Sequence, residues 1–178
     1  MPPDTRSSLQ PFLDFLKFEK RYSVHTLLSY ENDLAGFLSY LEQQFGPVDL
    51  PEVSHSMVRS WLAALREEGL TAKSINRKIS SLRAFFKYHL KNGSINATPM
   101  ARVISPKMPA RLPVFVKEDD TRELMSSLAA ASEDWKSLNA RMLIVIFYAT
   151  GMRLSELIGL REKQVDFSNR QIKVLGKG

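Results

Sequence analysis

A chain of 178 residues is long enough for one complete small domain and part of a second. Its 44% hydrophobic and 25% charged residues are typical of a globular protein, and no apolar run approaches the roughly 20 residues of a membrane helix. The absence of cysteine excludes a disulfide framework and a thiolate metal site. The first residues carry no apolar signal-peptide core, so we expect a cytoplasmic protein without a membrane partner.

The net charge of +6 is distributed unevenly along the chain. Residues 1–68 carry a net charge of −4 and residues 118–178 are neutral, whereas residues 69–117 hold ten Lys or Arg and no acidic residue. Such a stretch suits a polyanion, because each cation that meets a phosphate releases condensed counterions. Nucleic acid is therefore the leading candidate partner, and a solvated basic surface is the alternative.

Helical spacing of apolar residues predicts four helices in the first half of the chain. The first runs from Leu9 to about Lys20. The other three begin after capping hydroxyl groups, at Ser23, Ser54 and Thr71. Gly46-Pro47 ends the second helix, and Gly69 stands where a left-handed residue would end the third.

The fourth helix has two faces of opposite character. At about 100° per residue, one stripe is apolar and packs inward, with Ile75, Ile79, Leu82, Phe86 and His89. The opposite stripe carries Lys73, Arg77, Ser80, Ala84 and Lys87, with Lys78 and Arg83 on its flanks. Long cations separated by small residues can approach a phosphate backbone or enter a major groove. Because no aromatic ladder for single strands is present, the pattern favours duplex DNA.

Proline spacing predicts the domain boundary. Four prolines between Asn96 and Pro113 interrupt regular structure, so we assign residues 1–96 to a first domain, 97–113 to an extended linker and 114–178 to a second domain.

The second domain begins with a helix at Lys117 that has acidic residues in its first turn. The apolar run Met142–Ala149 is predicted to be buried on most sides, and a short helix follows at Leu154–Leu160. Gln171–Leu175 alternates like a strand and leads into the turn Gly176–Gly178, which predicts a hairpin without its second strand. Residues 114–178 are few for a domain, so we also expect exposed apolar surface.

No metal and no cofactor is expected. His25, His55 and His89 lie far apart in the sequence, without an acidic companion at ligand spacing. The two tryptophans, Trp61 and Trp135, fall on helical stripes and are interpreted as packing residues.

Four segments carry a family pattern. The most specific is Ala149–Leu160, which reads ATGMRLSELIGL. The others, in chain order, are Tyr22–Tyr30 followed by Asp33-Leu34, then Ser74–Lys87, and Gly176–Gly178 after a strand. Together they resemble the Xer-type tyrosine recombinases of the phage-integrase family, and the first segment resembles the motif of their first catalytic arginine. Met152, where the family often has leucine, is a conservative departure.

The resemblance implies a mainly α fold, in which a four-helix, SAM-like core-binding domain is followed by a truncated α+β catalytic domain, the two clamping duplex DNA. The family's reaction is a metal-free transesterification in which a tyrosine attacks a phosphodiester. Arg153 resembles the first catalytic arginine, whose planar fork suits a phosphate. Lys177 resembles the hairpin lysine that protonates the leaving 5′-oxygen.

The family's remaining catalytic residues, including the tyrosine nucleophile, would all lie after Gly178. We therefore expect this chain to bind a recombination site without cutting it. The five tyrosines present each fall in a helical pattern and are not interpreted as nucleophiles. The resemblance implies that the full-length protein forms a tetramer on DNA with a related or identical recombinase. Family members exchange a carboxy-terminal helix between neighbours, so we expect this chain to lack the main contact of that tetramer.

The predicted DNA contacts fall on two helices. At the start of the second helix they are Tyr22, Ser23, His25 and Thr26, where backbone amides and the helix dipole favour a phosphate. On the fourth helix they are Lys73, Ser74, Asn76, Arg77, Ser80, Arg83 and Lys87. Structural roles are the alternatives: capping explains Ser23, and an ion pair with Glu156 would explain Arg153.

Three functions remain open at this point. The first is part of a cell-encoded recombinase that resolves chromosome dimers. The second is a truncated phage or mobile-element integrase that occupies sites without cutting them. The third, a helix-turn-helix regulator, would require the motif around Arg153 to be accidental.

Overall fold

The computed structural model describes residues 7–108, 115–130, 132 and 134–174. The chain divides into two units, Met1–Ala110 and Arg111–Gly178. Helices dominate both units, and the strands in the described ranges form one two-stranded antiparallel pair. Of the described helices, none is sufficiently long and apolar to pass through a membrane.

The first unit contains the four predicted helices. They are α1 (Leu9–Asp14), which continues as a π-helical turn over Phe15–Glu19, α2 (Val24–Phe45), α3 (His55–Glu67) and α4 (Ala72–Lys91). A 3₁₀ turn, Leu50–Glu52, precedes α3. The three predicted caps are confirmed, because each hydroxyl oxygen accepts a bond from an amide three residues on: Ser23, Ser54 and Thr71.

An aromatic core joins these helices. The ring of Phe37 on α2 lies 5.1 Å from that of Trp61 on α3, and the ring of Phe12 on α1 lies 5.5 Å from that of Phe85 on α4. The predicted inward stripe of α4 is confirmed, since all five of its members are buried. Ser81 and Phe85 are buried beside it, so the packed face of α4 is wider than the period alone predicts.

The chain after α4 folds back onto the first unit. Ile95, Met100 and Val103 are all buried in its core. Part of the segment predicted as an extended linker, residues 97–113, is therefore packed against the helices, because its apolar side chains lie between the prolines and reach the core. Residues 109–114 of that segment lie outside the described residues.

The described residues of the second unit form three helices and a hairpin. Its elements are α5 (Glu118–Ala129), α6 (Trp135–Thr150), α7 (Leu154–Ile158), a 3₁₀ turn (Glu162–Gln164), β1 (Val165–Asp166) and β2 (Gln171–Ile172). The strands pair Val165 with Ile172 and Asp166 with Gln171. The sequence predicted the second strand but not this upstream partner.

The apolar helix α6 does not have the predicted burial. Met142, Phe147 and Tyr148 are exposed, and no described side chain of α6 is buried. The prediction that Met142–Ala149 is buried on most sides is wrong for this chain. A helix that is apolar all round needs neighbours on every side, and α5, α7 and the hairpin are too few to surround it. The expected exposed apolar surface is the result.

Candidate nucleic-acid interface

The outward stripe of α4 is an exposed basic surface. Lys73, Ser80 and Lys87 are exposed, and Ala84 between them is half-buried. Lys91 is exposed as well and lies five helical turns from Lys73, on the same line. Lys91 was not among the predicted contacts, although its spacing of 18 residues from Lys73 is visible in the sequence. We call Lys73, Ser80, Ala84, Lys87 and Lys91 the α4 basic face.

Arg77 forms an ion pair with a buried carboxylate. Asp33 on α2 is 1% exposed, and its Oδ2 accepts a hydrogen bond of 2.8 Å from Arg77 Nη1. The same nitrogen donates to the hydroxyl of Ser29. Half of the Arg77 side chain nevertheless remains exposed. The guanidinium therefore holds α2 to α4 and presents its other nitrogens to solvent.

Two further side chains complete the cluster around Asp33. Lys78 Nζ lies 3.1 Å from Asp33 Oδ1, and Ser81 Oγ donates to Oδ2 at 2.9 Å. Lys78 is only 16% exposed, and its ammonium also lies 5.7 Å from the centre of the Trp61 ring. A buried carboxylate needs such partners because burying an unpaired charge is costly. Lys78 consequently belongs to the interior and not to the DNA-facing flank.

The start of α2 presents the second group of predicted contacts. Tyr22, Ser23 and His25 are exposed, and Thr26 is half-buried. The hydroxyl groups of Ser23 and Thr26 bond to each other at 2.9 Å, and Ser23 also caps the helix.

The ring of Tyr30 packs against the ring of Tyr22 at the start of α2. The rings of Tyr22 and Tyr30 stack with centroids 6.2 Å apart. Burial raises the pKa of the Tyr30 hydroxyl, and the neighbouring Tyr22 and Asp33 raise that pKa further. Tyr30 therefore stays neutral and acts as a packing residue.

A cavity of about 440 Å³ connects the two groups of predicted contacts. Tyr22 and Lys87 both line it, so the structure brings these two predicted residues together. Lys20 and Lys91 line the same cavity and were not predicted, and Glu19 is the acidic residue among its lining side chains. Three lysines around a floor of tyrosine and phenylalanine rings make a hollow that is suited to a phosphate backbone.

Asn76 and Arg83 face a different direction from the basic face. Asn76 Nδ2 donates to the carbonyl of Pro106 at 2.9 Å. Arg83 Nη2 donates to the carbonyl of Val103 at 2.8 Å. These two predicted DNA contacts are therefore engaged with the segment after α4. Ser74 shares a bond with Thr71 at the helix cap.

Arg153 occupies the first position before α7. Its side chain is 63% exposed and its Nη1 lies 2.7 Å from Glu156 Oε1, while its backbone amide donates to Glu156 Oε2, also at 2.7 Å. These bonds from the Arg153 amide and side chain lower the pKa of Glu156. The ionised carboxylate fixes one edge of the guanidinium and leaves the rest accessible. Lys177 lies outside the described residues.

The described residues bring no three His, Asp or Glu side chains together as a metal site requires. The α4 basic face and the start of α2 present exposed lysine side chains and hydroxyl groups, which are donors that an anion accepts. An exposed row of lysines about 27 Å long on one helix, with hydroxyl groups at a neighbouring helix start, suits an extended polyanion better than a small anion.

Comparison with known proteins assigns the two units to one family. The model of the phage integrase N-terminal SAM-like domain matches residues 9–93, and the model of the phage integrase family matches residues 115–178. Tyrosine recombinase XerC of Xanthomonas campestris is 34% identical over 174 residues, which cover 98% of this chain and 53% of the relative. The same protein of Staphylococcus haemolyticus is 35% identical over 167 residues, covering 94% and 55%.

Solved structures have the same fold. The XerH recombinase bound to its difH substrate aligns over 100% of this chain and 64% of that chain, with a TM-score of 0.70 and 17% identity. The Tn1549 transposon integrase in complex with circular intermediate DNA aligns over 94% and 53%, with a TM-score of 0.66 and 24% identity.

The predicted fold class is confirmed: the chain is mainly α, with a SAM-like first domain followed by the beginning of a recombinase catalytic domain. The chain spans about half the length of the curated relatives that it matches. It belongs to the phage-integrase family of tyrosine recombinases and is similar to its Xer-type members.

Proposed function

We propose that this chain is the DNA-binding part of a site-specific tyrosine recombinase, and that its first unit holds duplex DNA on the α4 basic face. The observation that carries the proposal is the exposed line of Lys73, Lys87 and Lys91, which continues into the cavity beside Tyr22. Lys87 and Lys91 lie one helical turn apart and can reach neighbouring phosphates, and Lys73, about 21 Å from Lys87 along the helix, can reach a more distant one. Such contacts fix the position of the protein without reading sequence.

The structure changes the role that we propose for three of the predicted contacts. Arg77 reaches a phosphate only through the nitrogens that Asp33 and Ser29 leave free. Asn76 and Arg83 reach DNA only if the segment that follows α4 moves away from them. Lys73, Ser80 and Lys87 require no such change. We therefore expect these three residues to carry most of the phosphate contacts on α4, and the start of α2 to add Tyr22, Ser23, His25 and Thr26.

The catalytic assignments concern the second unit. Arg153 would bind the scissile phosphate through the guanidinium nitrogens that Glu156 does not occupy, with Glu156 as its positioning residue. Lys177 would protonate the leaving 5′-oxygen. We propose that these 178 residues bind DNA without forming a covalent intermediate. Each of the five tyrosines falls in a helical pattern of the sequence, and none is interpreted as the nucleophile that would act with Arg153.

The curated relatives support a proposal for the wider role. Because the relatives described above carry the name XerC, we infer a cell-encoded enzyme that resolves chromosome dimers in the cytoplasm, working as a tetramer with a related or identical recombinase. A mobile-element integrase is the second candidate, favoured by the fold shared with the Tn1549 transposon integrase. The 34–35% identity to the XerC relatives supports the first.

The test is a salt titration of DNA binding. The full chain is titrated onto a fluorescent duplex at several salt concentrations, beside Lys73→Gln/Lys87→Gln and a matched control, Arg59→Gln/Arg66→Gln, which removes two exposed cations from α3. Arg77 is left intact because its loss would also disturb Asp33. Since each phosphate contact contributes about 0.9 to the slope of log K against log salt, the lysine variant should lower that slope by about one to two.

The control variant should keep the wild-type slope. If both variants lower the slope equally, DNA responds to the total charge and the α4 basic face is not a specific contact surface. A covalent protein–DNA product from the wild-type chain, seen on a denaturing gel with a nicked duplex, would contradict the non-catalytic part of the proposal.

A further inference from the structure

The first unit has a second cationic groove, which the proposed function does not use. It lies between α3 and the segment that follows α4, and encloses about 500 Å³. Arg59 and Arg66 line it from α3 and Arg102 lines it from the segment. The groove also has apolar lining residues, namely Leu62, Ala63, Ile75 and Val103.

The three guanidinium groups are available to a ligand. All three side chains are exposed, and none forms an ion pair with a described residue. Arg59 and Arg66 are seven residues apart, which places them on one side of α3 two turns from each other. Among the described residues that line the groove there is no carboxylate. An anionic ligand would therefore relieve the repulsion between these cations.

The groove is separate from the α4 basic face. Ile75 in its lining is buried, and it lies about 160° around α4 from Lys73 at the helical period of about 100° per residue. The segment held by Asn76 and Arg83 forms the other wall. A duplex that lies along the line of Lys73 and Lys87 would not fill this groove.

Exposed apolar lining residues distinguish the groove from a phosphate site. Ile104, which lines it next to Arg102, is 88% exposed, the highest value among the large hydrophobic side chains described. A phosphodiester backbone offers only its sugar carbons as hydrocarbon to cover Ile104 or Leu62. A peptide offers both apolar side chains and carboxylates, and the arginine fork binds a carboxylate with two parallel bonds.

We propose that this groove is the docking site for an acidic segment of a partner protein. One or two apolar side chains of that segment lie against Leu62 and Ile104, and adjacent carboxylates bind Arg59, Arg66 and Arg102. The site has the usual composition of a protein interface, with an apolar centre and arginine at its edge.

The experiment measures binding of a defined peptide to the full chain. The probe is a fluorescein-labelled nonapeptide of Leu, Phe, Asp and Glu, followed by anisotropy, and its matched control has Asn and Gln in place of the acids. Arg59→Gln/Arg66→Gln should weaken binding of the acidic peptide by about tenfold, since two charge-assisted bonds are lost. Ile104→Ser should weaken it severalfold, while Lys73→Gln/Lys87→Gln should leave it unchanged. Helical circular dichroism confirms that each variant is folded.

Three results would overturn the proposal. The acidic peptide fails to bind at millimolar concentration, or binds no better than its amide control, or binds Arg59→Gln/Arg66→Gln as tightly as wild type. The duplex titration bears on both surfaces: if the arginine variant lowers the salt slope as much as the lysine variant does, neither this groove nor the α4 basic face is a specific site. Failure of the peptide titration alone leaves the α4 basic face standing, because that face is tested with DNA and not with the peptide.

Discussion

Asp33→Ala should destabilise the first unit strongly, because this carboxylate is the shared partner of three side chains from α4. Removing one side of a fully buried ion pair costs about 3–5 kcal/mol. Lys78 is nearly buried and loses its counter-charge, whereas the half-exposed Arg77 can be rehydrated. Ser81 keeps its bond of 3.3 Å to the carbonyl of Arg77. We therefore expect the lower end of the range, a loss of about 3 kcal/mol in the free energy of unfolding.

Urea unfolding followed by tryptophan fluorescence measures this loss. Trp61 is buried in the first unit, whereas Trp135 in the second is 80% exposed, so a Trp135→Phe background makes the signal report on the first unit alone. Glu31→Ala, an exposed carboxylate on the same helix, is the matched control and should change stability by less than about 0.5 kcal/mol.

A double-mutant cycle with Lys78→Met tests the mechanism. If the ammonium is stabilised by Asp33, the double variant should be more stable than the sum of the two single losses predicts, by at least about 1 kcal/mol. A cost of less than about 1 kcal/mol for Asp33→Ala, or simple addition of the two losses, would contradict a stabilising contact between Asp33 and Lys78.

Three further predictions concern other parts of the first unit. Burial lowers the pKa of His89, so the stabilising contribution of this side chain is present above the pKa of about 6.5 in the unfolded state and is lost as pH falls below that pKa. His89→Gln should therefore flatten the decline in the free energy of unfolding, measured with urea, between about pH 7.5 and pH 5. An unchanged decline would contradict this prediction. Gly69 has a φ of +83° and open space where a Cβ would lie, so Gly69→Ala should cost about 1 kcal/mol of stability through backbone strain alone. Gly36 lies inside α2, and Gly36→Ala should stabilise the protein by about 0.5 kcal/mol. If thermal unfolding shows stability changes of the same sign for both variants, the prediction is wrong. Arg83→Ala should speed amide hydrogen exchange over residues 100–108 about fivefold, because the segment loses a charged hydrogen bond, and exchange at the wild-type rate would show that the bond does not hold it.

Local sequence signals predicted the first unit well. A helix start depends on a hydroxyl group and the amide three residues later, so Ser23, Ser54 and Thr71 could be assigned from the sequence alone. The inward stripe of α4 follows from the period of 3.6 residues in the same way.

The partners of the charged residues could not be predicted in this way. Asp33 and Arg77 are 44 residues apart, and their contact depends on how α2 packs against α4. One signal was present: Asp33 lies at helical spacing between Tyr30 and Phe37, so it occupies an inward position of α2. A carboxylate at such a position indicates that cations on another helix are in contact with it.

The burial of α6 could not be predicted either. The apolar side chains of a helix favour contact with other elements, but they do not determine which elements lie next to it. Whether Met142 or Phe147 is covered depends on the elements that surround the helix, and these are not encoded in the helix itself.

The return of the chain after α4 sets where an independently folding first domain can end. The family model of this domain stops at residue 93, yet Ile95, Met100 and Val103 lie in its core. A shorter protein ending there would expose the surface that these three side chains cover, at a cost of about 5 kcal/mol in hydrophobic burial. That loss is comparable to the whole stability of a small domain. We therefore expect the smallest autonomous domain to extend at least to Pro106, whose carbonyl accepts the bond from Asn76.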